Sequence, residues 1–442
     1  MHSRRASRAG RTAGALVGML LFSTALSAQT LSLPTFPSPE AQEDDQRALV
    51  SAAQRAAPAP ESRPRPWDYR LGMGVGYDSN IEFLVPGGPG SLALSPRGDL
   101  QRLFWSPRGQ LRVRANAGCV GYTEQRDLSR PLLAFDLDGR YLSSPVTTLW
   151  GRASYDFGYS DSSQVLADQG VLRPLMETRT ASAAAGAIWR VGRRTSLSLE
   201  GRFHGVNFNE ETPGSAPLVD GRSLRGMAGL TWRIGPRATT TLEYSLESDL
   251  GRHLRQGEAG GGEGAYLTHF GSLQWAYLLS SSNAFKVEAG SSYTPAAAQA
   301  GLGQRANFYG GAAYVRKVKR SNFVLFARRE VTPAFGLGVN RVESRFGIFA
   351  WIVMGRDWTL ELNGSHVNPT NPEGTPVVYA TSDEAYASLR RRLGHWVELS
   401  TEARYRRRSA AGSLPEVDSL QAGVYLSFVS PRDFTLPPPE RY

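Results

Sequence analysis

Val397-Glu398-Leu399-Ser400-Thr401-Glu402-Ala403-Arg404-Tyr405-Arg406 decides how this chain folds. Val397, Leu399, Ala403 and Tyr405 alternate with Glu398, Ser400, Glu402, Arg404 and Arg406. A period of two sends alternate side chains to opposite faces of a β-strand, whereas a helix would need a period near 3.6. The same texture recurs from Trp67 onward. Leu133, Phe135, Leu137 and Tyr141 alternate with Asp136, Asp138 and Arg140. Ala181, Ala183, Ala185, Ala187, Trp189 and Val191 share one side, and Leu242, Tyr244 and Leu246 alternate with Thr241, Glu243, Ser245 and Glu247. Trp358, Leu360 and Leu362 alternate with Thr359, Glu361 and Asn363.

The alternating segments run to about 12–15 residues, long enough for the ~9–11 tilted residues that cross a hydrocarbon layer. Their polar faces are charged, and a sandwich core would need apolar inner faces on both sheets. The apolar faces are therefore expected to meet lipid and the charged faces water, in an all-β, transmembrane, antiparallel up-and-down β-barrel. Tight turns at Ser106-Pro107-Arg108-Gly109, Ser143 to Pro145, Gly192-Arg193, Gly235-Pro236, Ser280 to Ser282, Lys319-Arg320, Gly355 and Gly394 alternate with longer Gly/Pro-rich loops. Those loops include Leu84 to Arg97, Asp161 to Glu177, Asn209 to Val219, Gly251 to Glu263, Thr294 to Gly303 and Asn368 to Val378. Counting between the connections predicts about 18 strands from Tyr69 to Val429, with 16 as second choice; the weakest is Gly98 to Trp105. An even number places both ends of the barrel on the periplasmic side.

Outward from this core, the segments divide as 1–28 signal peptide, 29–66 leader, 67–429 barrel and 430–442 tail. Arg4, Arg5, Arg8 and Arg11 precede the apolar run Ala13 to Leu26, and Ala25-Leu26-Ser27-Ala28 has a cleavage pattern. The run is too short to span a bilayer as a helix. Pro58, Pro60, Pro64 and Pro66 stiffen the end of the periplasmic leader. Export of this kind implies the outer membrane of a diderm bacterium. Mean hydropathy is −0.32, which argues against a helical membrane protein. The formal charge of +10 falls to +6 once the four signal arginines leave, too little and too scattered for nucleic acid. Cys119 is the sole cysteine, so neither an intramolecular disulfide nor a cysteine-rich zinc site is expected; its parity makes it a small lipid-facing hydrophobe.

Catalytic signatures are missing from the sequence: there is no Gly-x-Ser-x-Gly, His-Glu-x-x-His or P-loop. His204, His253, His269, His366 and His395 are scattered. We therefore expect no enzyme, no cofactor and no metal ligands. Gly72-x-Gly74-x-Gly76 is read as small inward residues near the barrel seam rather than a nucleotide loop. The charged parity predicts a lumen wall of Arg112, Arg114, Asp136, Asp138, Arg140, Arg152, Glu200, Arg202, Arg225, Arg233, Glu243, Lys286, Glu288, Glu361, Glu398, Glu402 and Arg404. So many charges are costly to bury dry, which favours a wet pore over a closed interior of salt bridges. The short turns and their flanks carry Arg108, Arg193, Arg194, Arg237, Lys317, Lys319, Arg320, Arg356, Arg390, Arg391 and Arg392 against Asp357 alone. A basic periplasmic mouth would attract anionic polymer, an acidic partner surface or anionic lipid headgroups.

The last strand, Ser419 to Val429, alternates Leu420, Ala422, Val424, Leu426 and Phe428. It resembles the C-terminal strand by which the barrel-assembly machinery recognises its clients, although here a tail with three consecutive prolines follows it. The segment Gly74-Val75-Gly76-Tyr77-Asp78-Ser79-Asn80-Ile81, after a Pro-rich leader, resembles the opening of the β-barrel porin-2 family. The resemblance implies an outer-membrane conduit for a secreted exopolysaccharide, with a periplasmic polysaccharide-export protein as partner, outer-membrane lipid as surroundings and no nucleic acid. The alternatives are a general or solute-selective diffusion porin and, in another class, an outer-membrane enzyme or adhesin with a closed barrel. If the cleavage reading is right, intact mass of the protein recovered from membranes will correspond to a chain starting at Gln29; a mass that retains the first 28 residues would refute it.

Overall fold

The computed structural model describes residues 67–430 apart from segments 82–85, 89, 125, 127–128, 160–176, 209–219, 254–261, 281, 296–304, 319–320, 335–338, 356, 371–379 and 411–414. The expected signal peptide and leader, the tail beyond Ser430, the Lys319-Arg320 turn and Arg356 lie outside these residues.

The strands are β1 (Asp68–Asp78), β2 (Ser91–Ser106), β3 (Gly109–Tyr122), β4 (Arg130–Ser144), β5 (Thr147–Tyr159), β6 (Glu177–Arg190), β7 (Thr195–Phe208), β8 (Gly221–Arg233) and β9 (Ala238–His253). They continue as β10 (Gly262–Ser280), β11 (Asn283–Tyr293), β12 (Ala306–Val318), β13 (Ser321–Ala334), β14 (Val339–Met354), β15 (Trp358–Thr370), β16 (Ser382–Arg392), β17 (Val397–Arg408) and β18 (Val417–Val429). Each is antiparallel to its neighbours in sequence, and β1 pairs with β18 as well as β2, so one 18-stranded sheet closes on itself. The architecture is the expected one, with the larger of the two strand counts. Among the described residues no helix is long and apolar enough to cross a membrane.

Lengths run from 11 to 19 residues, enough for every strand to cross a hydrocarbon layer. Short turns on one rim make this possible. Gly355 and Gly394 take φ of 72° and 104° there, a left-handed conformation that glycine adopts without steric cost. The expected loop Leu84 to Arg97 is a correction: β2 already begins at Ser91, and its register with β1 runs unbroken from Ser91 to Gln101. Pro96 lacks an amide to donate, and the β2–β3 ladder skips Ser95 and Pro96 before resuming at Arg97. A proline tolerated at this gap, with glycines on either side, made a strand look like a loop. The connection expected from Gly251 to Glu263 is also shorter, because β9 runs to His253 and β10 starts at Gly262.

The outer face is apolar. Leu71, Met73, Val75, Leu242, Leu273, Leu325, Ile348, Leu362, Val424 and Leu426 are exposed along it. Aromatic side chains edge it on both sides: Trp67, Phe104, Tyr141, Trp232 and Trp358 toward the short turns, and Tyr77, Tyr155, Tyr244, Tyr293, Phe308 and Phe346 toward the loops. An apolar band between two aromatic girdles is the surface a β-barrel offers to a bilayer. The chain is therefore a transmembrane barrel, and short turns on one side with longer loops on the other are the arrangement of the outer membrane. Cys119 is exposed on β3 with the lipid-facing parity of Leu111.

Closure is built around glycine. Gly72, Gly74 and Gly76 share the inward parity of β1, opposite Ser427, Tyr425 and Gly423 of β18. A Cβ on Gly74 would fall inside the Tyr425 ring, and one on Gly76 would lie 2.7 Å from the Ala422 carbonyl oxygen. The Tyr425 ring thus lies flat along the seam, with the Arg97 guanidinium 3.4 Å above its centroid. Arg97 then reaches Glu402 of β17 at 3.3 Å, crossing two strands that offer little side chain to stop it. At the other end of the seam, buried Asp78 accepts hydrogen bonds from Ser419 Oγ (3.0 Å), Gln421 Nε2 (2.8 Å), the Asn80 amide (3.1 Å) and the Tyr122 hydroxyl (3.3 Å). Asn80 Nδ2 donates to the Asp418 carbonyl at 3.1 Å, and Ile81 packs against Ala93 and Tyr122.

Overpacking this seam should be costly. Gly74→Ala is expected to lower stability by about 1–3 kcal/mol as Tyr425 is displaced. Gly226→Ala, with nothing within 4 Å of its new methyl, should change it by less than about 0.5 kcal/mol. Urea titration of tryptophan fluorescence in lipid vesicles measures both; equal effects would remove the special role of the seam.

Candidate functional site: the charged inner wall

On every strand the residues opposite the exposed apolar series point into the cylinder. Every position expected from sequence to line the lumen has this inward parity. What the sequence could not supply is which of them meet. In one lateral row Arg112 of β3 lies abreast of Asp138 of β4, which lies abreast of Arg152 of β5. The row continues through Ala184 to Arg202 and Arg225 and ends beside Glu247. Arg140 lies between Gln110 and Trp150, and Arg233 beside Thr239.

Most of the charges are satisfied by one another. Arg114 pairs with Asp99 and stands 3.9 Å from Asp136. Glu200 pairs with Arg202 two residues along the same strand face. Arg225 faces Glu243 at 3.9 Å and Glu247 at 3.8 Å, and donates to Ser245 Oγ at 3.0 Å. Gln274 donates to Glu243 at 3.2 Å. Glu361 pairs with Arg390 (3.0 Å), Glu398 with Arg70 (3.0 Å), and Arg404 with Glu384 (2.5 Å). Lys286 and Glu288 have inward parity on β11 one row apart. Such pairs recover part of the desolvation cost of carboxylates and guanidinia held against the wall.

Several wall residues were missed. Arg97 and Asp99 lie in or beside the expected loop Leu84 to Arg97. Arg390, expected from sequence on the flank of a short turn, is instead a wall residue, 5.8 Å from the ring centroid of Trp351. Parity along β16 would have separated it from outward Arg391, but three consecutive arginines hide a period of two. Inward aromatics were also overlooked: Trp150, Tyr309, Trp351 and Tyr425 are partly exposed beside charged groups. Phe270 meets Tyr309 edge-on at 5.8 Å, and the Arg225 guanidinium lies 4.8 Å from the centroid of Phe270.

Of the histidines, His204 is inward, while His269 and His366 are on the outer face near the loop rim. His269 Nδ1 lies 2.8 Å from the Tyr244 hydroxyl, and His366 Nδ1 2.7 Å from Asp383. These pairs hold the rings at the upper edge of the apolar band. Among the described residues no cluster of three or more His, Cys, Asp or Glu could hold a metal ion.

No protein-family model matches the chain, and no curated protein matches it. Solved structures do. OccK11 (OpdR) of Pseudomonas aeruginosa is 13% identical, with TM-score 0.40, covering 83% of this chain and 96% of that one. OpdQ of the same organism is 10% identical, TM-score 0.41, covering 83% and 97%. The siderophore receptor PirA of Acinetobacter baumannii is 7% identical, TM-score 0.44, covering 84% and 81%. Likenesses this distant add nothing to what the closed cylinder and its belt establish by themselves.

The Glu200–Arg202 pair tests the wall energetics, since each side chain is almost fully buried. Arg202→Met should destabilise by about 3–5 kcal/mol, because it leaves a buried carboxylate without its cation; adding Glu200→Met should recover most of the loss. Urea unfolding midpoints in vesicles decide this, and a single variant as stable as the double would refute it.

Proposed function

We propose that this chain is an outer-membrane channel for polar cargo, and that the cargo is a carbohydrate polymer leaving the cell. The observation carrying the channel reading is the closed cylinder of 18 strands with a charged inner wall. A barrel of ~16–18 strands leaves room for water inside. Charges that neutralise each other along its wall keep that water in place without a long single-sign field to trap an ionic solute.

Carbohydrate is the cargo best suited to the wall's other feature. Trp150, Tyr309 and Trp351 offer ring faces to the apolar faces of sugars. Adjacent Arg and Glu side chains offer donors and acceptors for hydroxyls. Each such interaction is weak and repeated, which suits passage rather than capture. The octapeptide that opens the barrel adds a likeness in construction to exopolysaccharide conduits, from which a periplasmic export protein is the expected partner; the lining alone carries the cargo reading.

Two measurements test the two levels separately. Purified protein in planar bilayers should conduct in discrete steps; a silent barrel would remove the channel. Deleting the gene should abolish surface polysaccharide. Conductance together with unchanged surface polysaccharide would leave a diffusion porin and sink the export reading.

A further inference from the structure

Three hairpin turns on the short-turn rim share an Arg-aliphatic-Gly opening and one closure. They are Arg190-Val191-Gly192-Arg193-Arg194, Arg233-Ile234-Gly235-Pro236-Arg237 and Arg392-Leu393-Gly394-His395-Trp396. In each, the amide of the aliphatic residue donates to the carbonyl four residues on: Val191 to Thr195 (3.0 Å), Ile234 to Ala238 (3.0 Å) and Leu393 to Val397 (2.8 Å). Each aliphatic residue carries on the lipid-facing parity of its strand, one position beyond Trp189, Trp232 or Arg391. Their exposures are 68%, 63% and 45%. The apolar stripe therefore runs past the tryptophan girdle to the tips of the turns.

Nothing in the chain's own packing accounts for an exposed aliphatic side chain in this place three times over. It is covered only if the rim sits within the lipid interface rather than above it. The cations then lie at phosphate depth. Arg193, Arg194 and Arg237 are exposed, and Arg391 is held 5.0 Å from the ring centroid of Trp358. Among the described turn residues on this rim the only acid is Asp357. A guanidinium is suited to a phosphate, which it can grip with two parallel hydrogen bonds.

We propose that this rim binds the phosphate groups of anionic phospholipid in the inner leaflet. Val191, Ile234 and Leu393 sit among the glycerol and upper acyl segments, and Arg193, Arg194, Arg237 and Arg391 sit on the phosphates. The inference rests on the lipid belt and not on the channel or its cargo.

The test is native mass spectrometry of the folded barrel with equal amounts of phosphatidylglycerol and phosphatidylcholine. Wild-type protein should retain the anionic lipid at least about tenfold better, and the preference should fall toward unity in high salt. The variant Arg193→Gln/Arg194→Gln/Arg237→Gln/Arg391→Gln should lose the preference, and Arg179→Gln/Arg407→Gln on the opposite rim should keep it. Should the fourfold variant not fold, the wild-type preference and its salt dependence still decide. Equal retention of the two lipids by wild type would overturn the proposal, as would a salt-insensitive preference or one that survives loss of the four arginines. It would also be overturned by a rim that ignores lipid charge yet binds poly-glutamate through the same arginines, which would point to an acidic protein surface.

Discussion

Hydrocarbon contains no water to take a backbone amide or carbonyl, so every strand of this chain must find partners on both sides. A sheet can meet that demand only by joining its first strand to its last. Here that means bringing Arg70 beside Val429 and Asp78 beside Gln421, positions more than 340 residues apart. Loop-closure entropy opposes such a contact. The seam answers with more than its ladder: a tyrosine laid in a glycine trough, an arginine stacked on it and anchored across two strands, and a buried aspartate collecting donors from β3, β18 and the Asn80 amide just past β1.

The second constraint follows from the first. Once the cylinder is closed, a side chain faces either acyl chains or the interior, and a slip of one residue would exchange the two sets. The wall charges make that slip prohibitive, since a lysine or arginine at the bilayer midplane costs about 2–4 kcal/mol. Inner pairs such as Glu361 with Arg390 therefore do two things: they satisfy one another, and they forbid the alternative register.

Much of this was legible beforehand. Alternation is a local property, so strand identity, facing and the inward set from Arg112 to Arg404 could be read from short windows. Turns announced by Pro107, Gly235 or Gly394 gave the strand count. Two kinds of feature were not legible. Where proline and glycine interrupt the pattern, as at Pro96 and Gly98, or where like charges run together, as at Arg390 to Arg392, the period of two is masked and a strand end is misplaced. Pairings that depend on register were also hidden. Arg97 with Glu402, or His366 with Asp383, become neighbours only when the ladder is known, and no single segment encodes the ladder.

The octapeptide from Gly74 to Ile81 is occupied almost wholly with shutting the cylinder: Gly74 receives Tyr425, Gly76 lets the Ala422 carbonyl approach, and its aspartate and asparagine fasten the final strand. Kinship inferred from it is kinship of construction. A lineage could exchange the aromatic and ionic lining of its barrels, and so the freight they handle, while this clasp stayed unaltered. Barrels that share the clasp should then be sorted by their linings rather than by the feature that first suggests they are related.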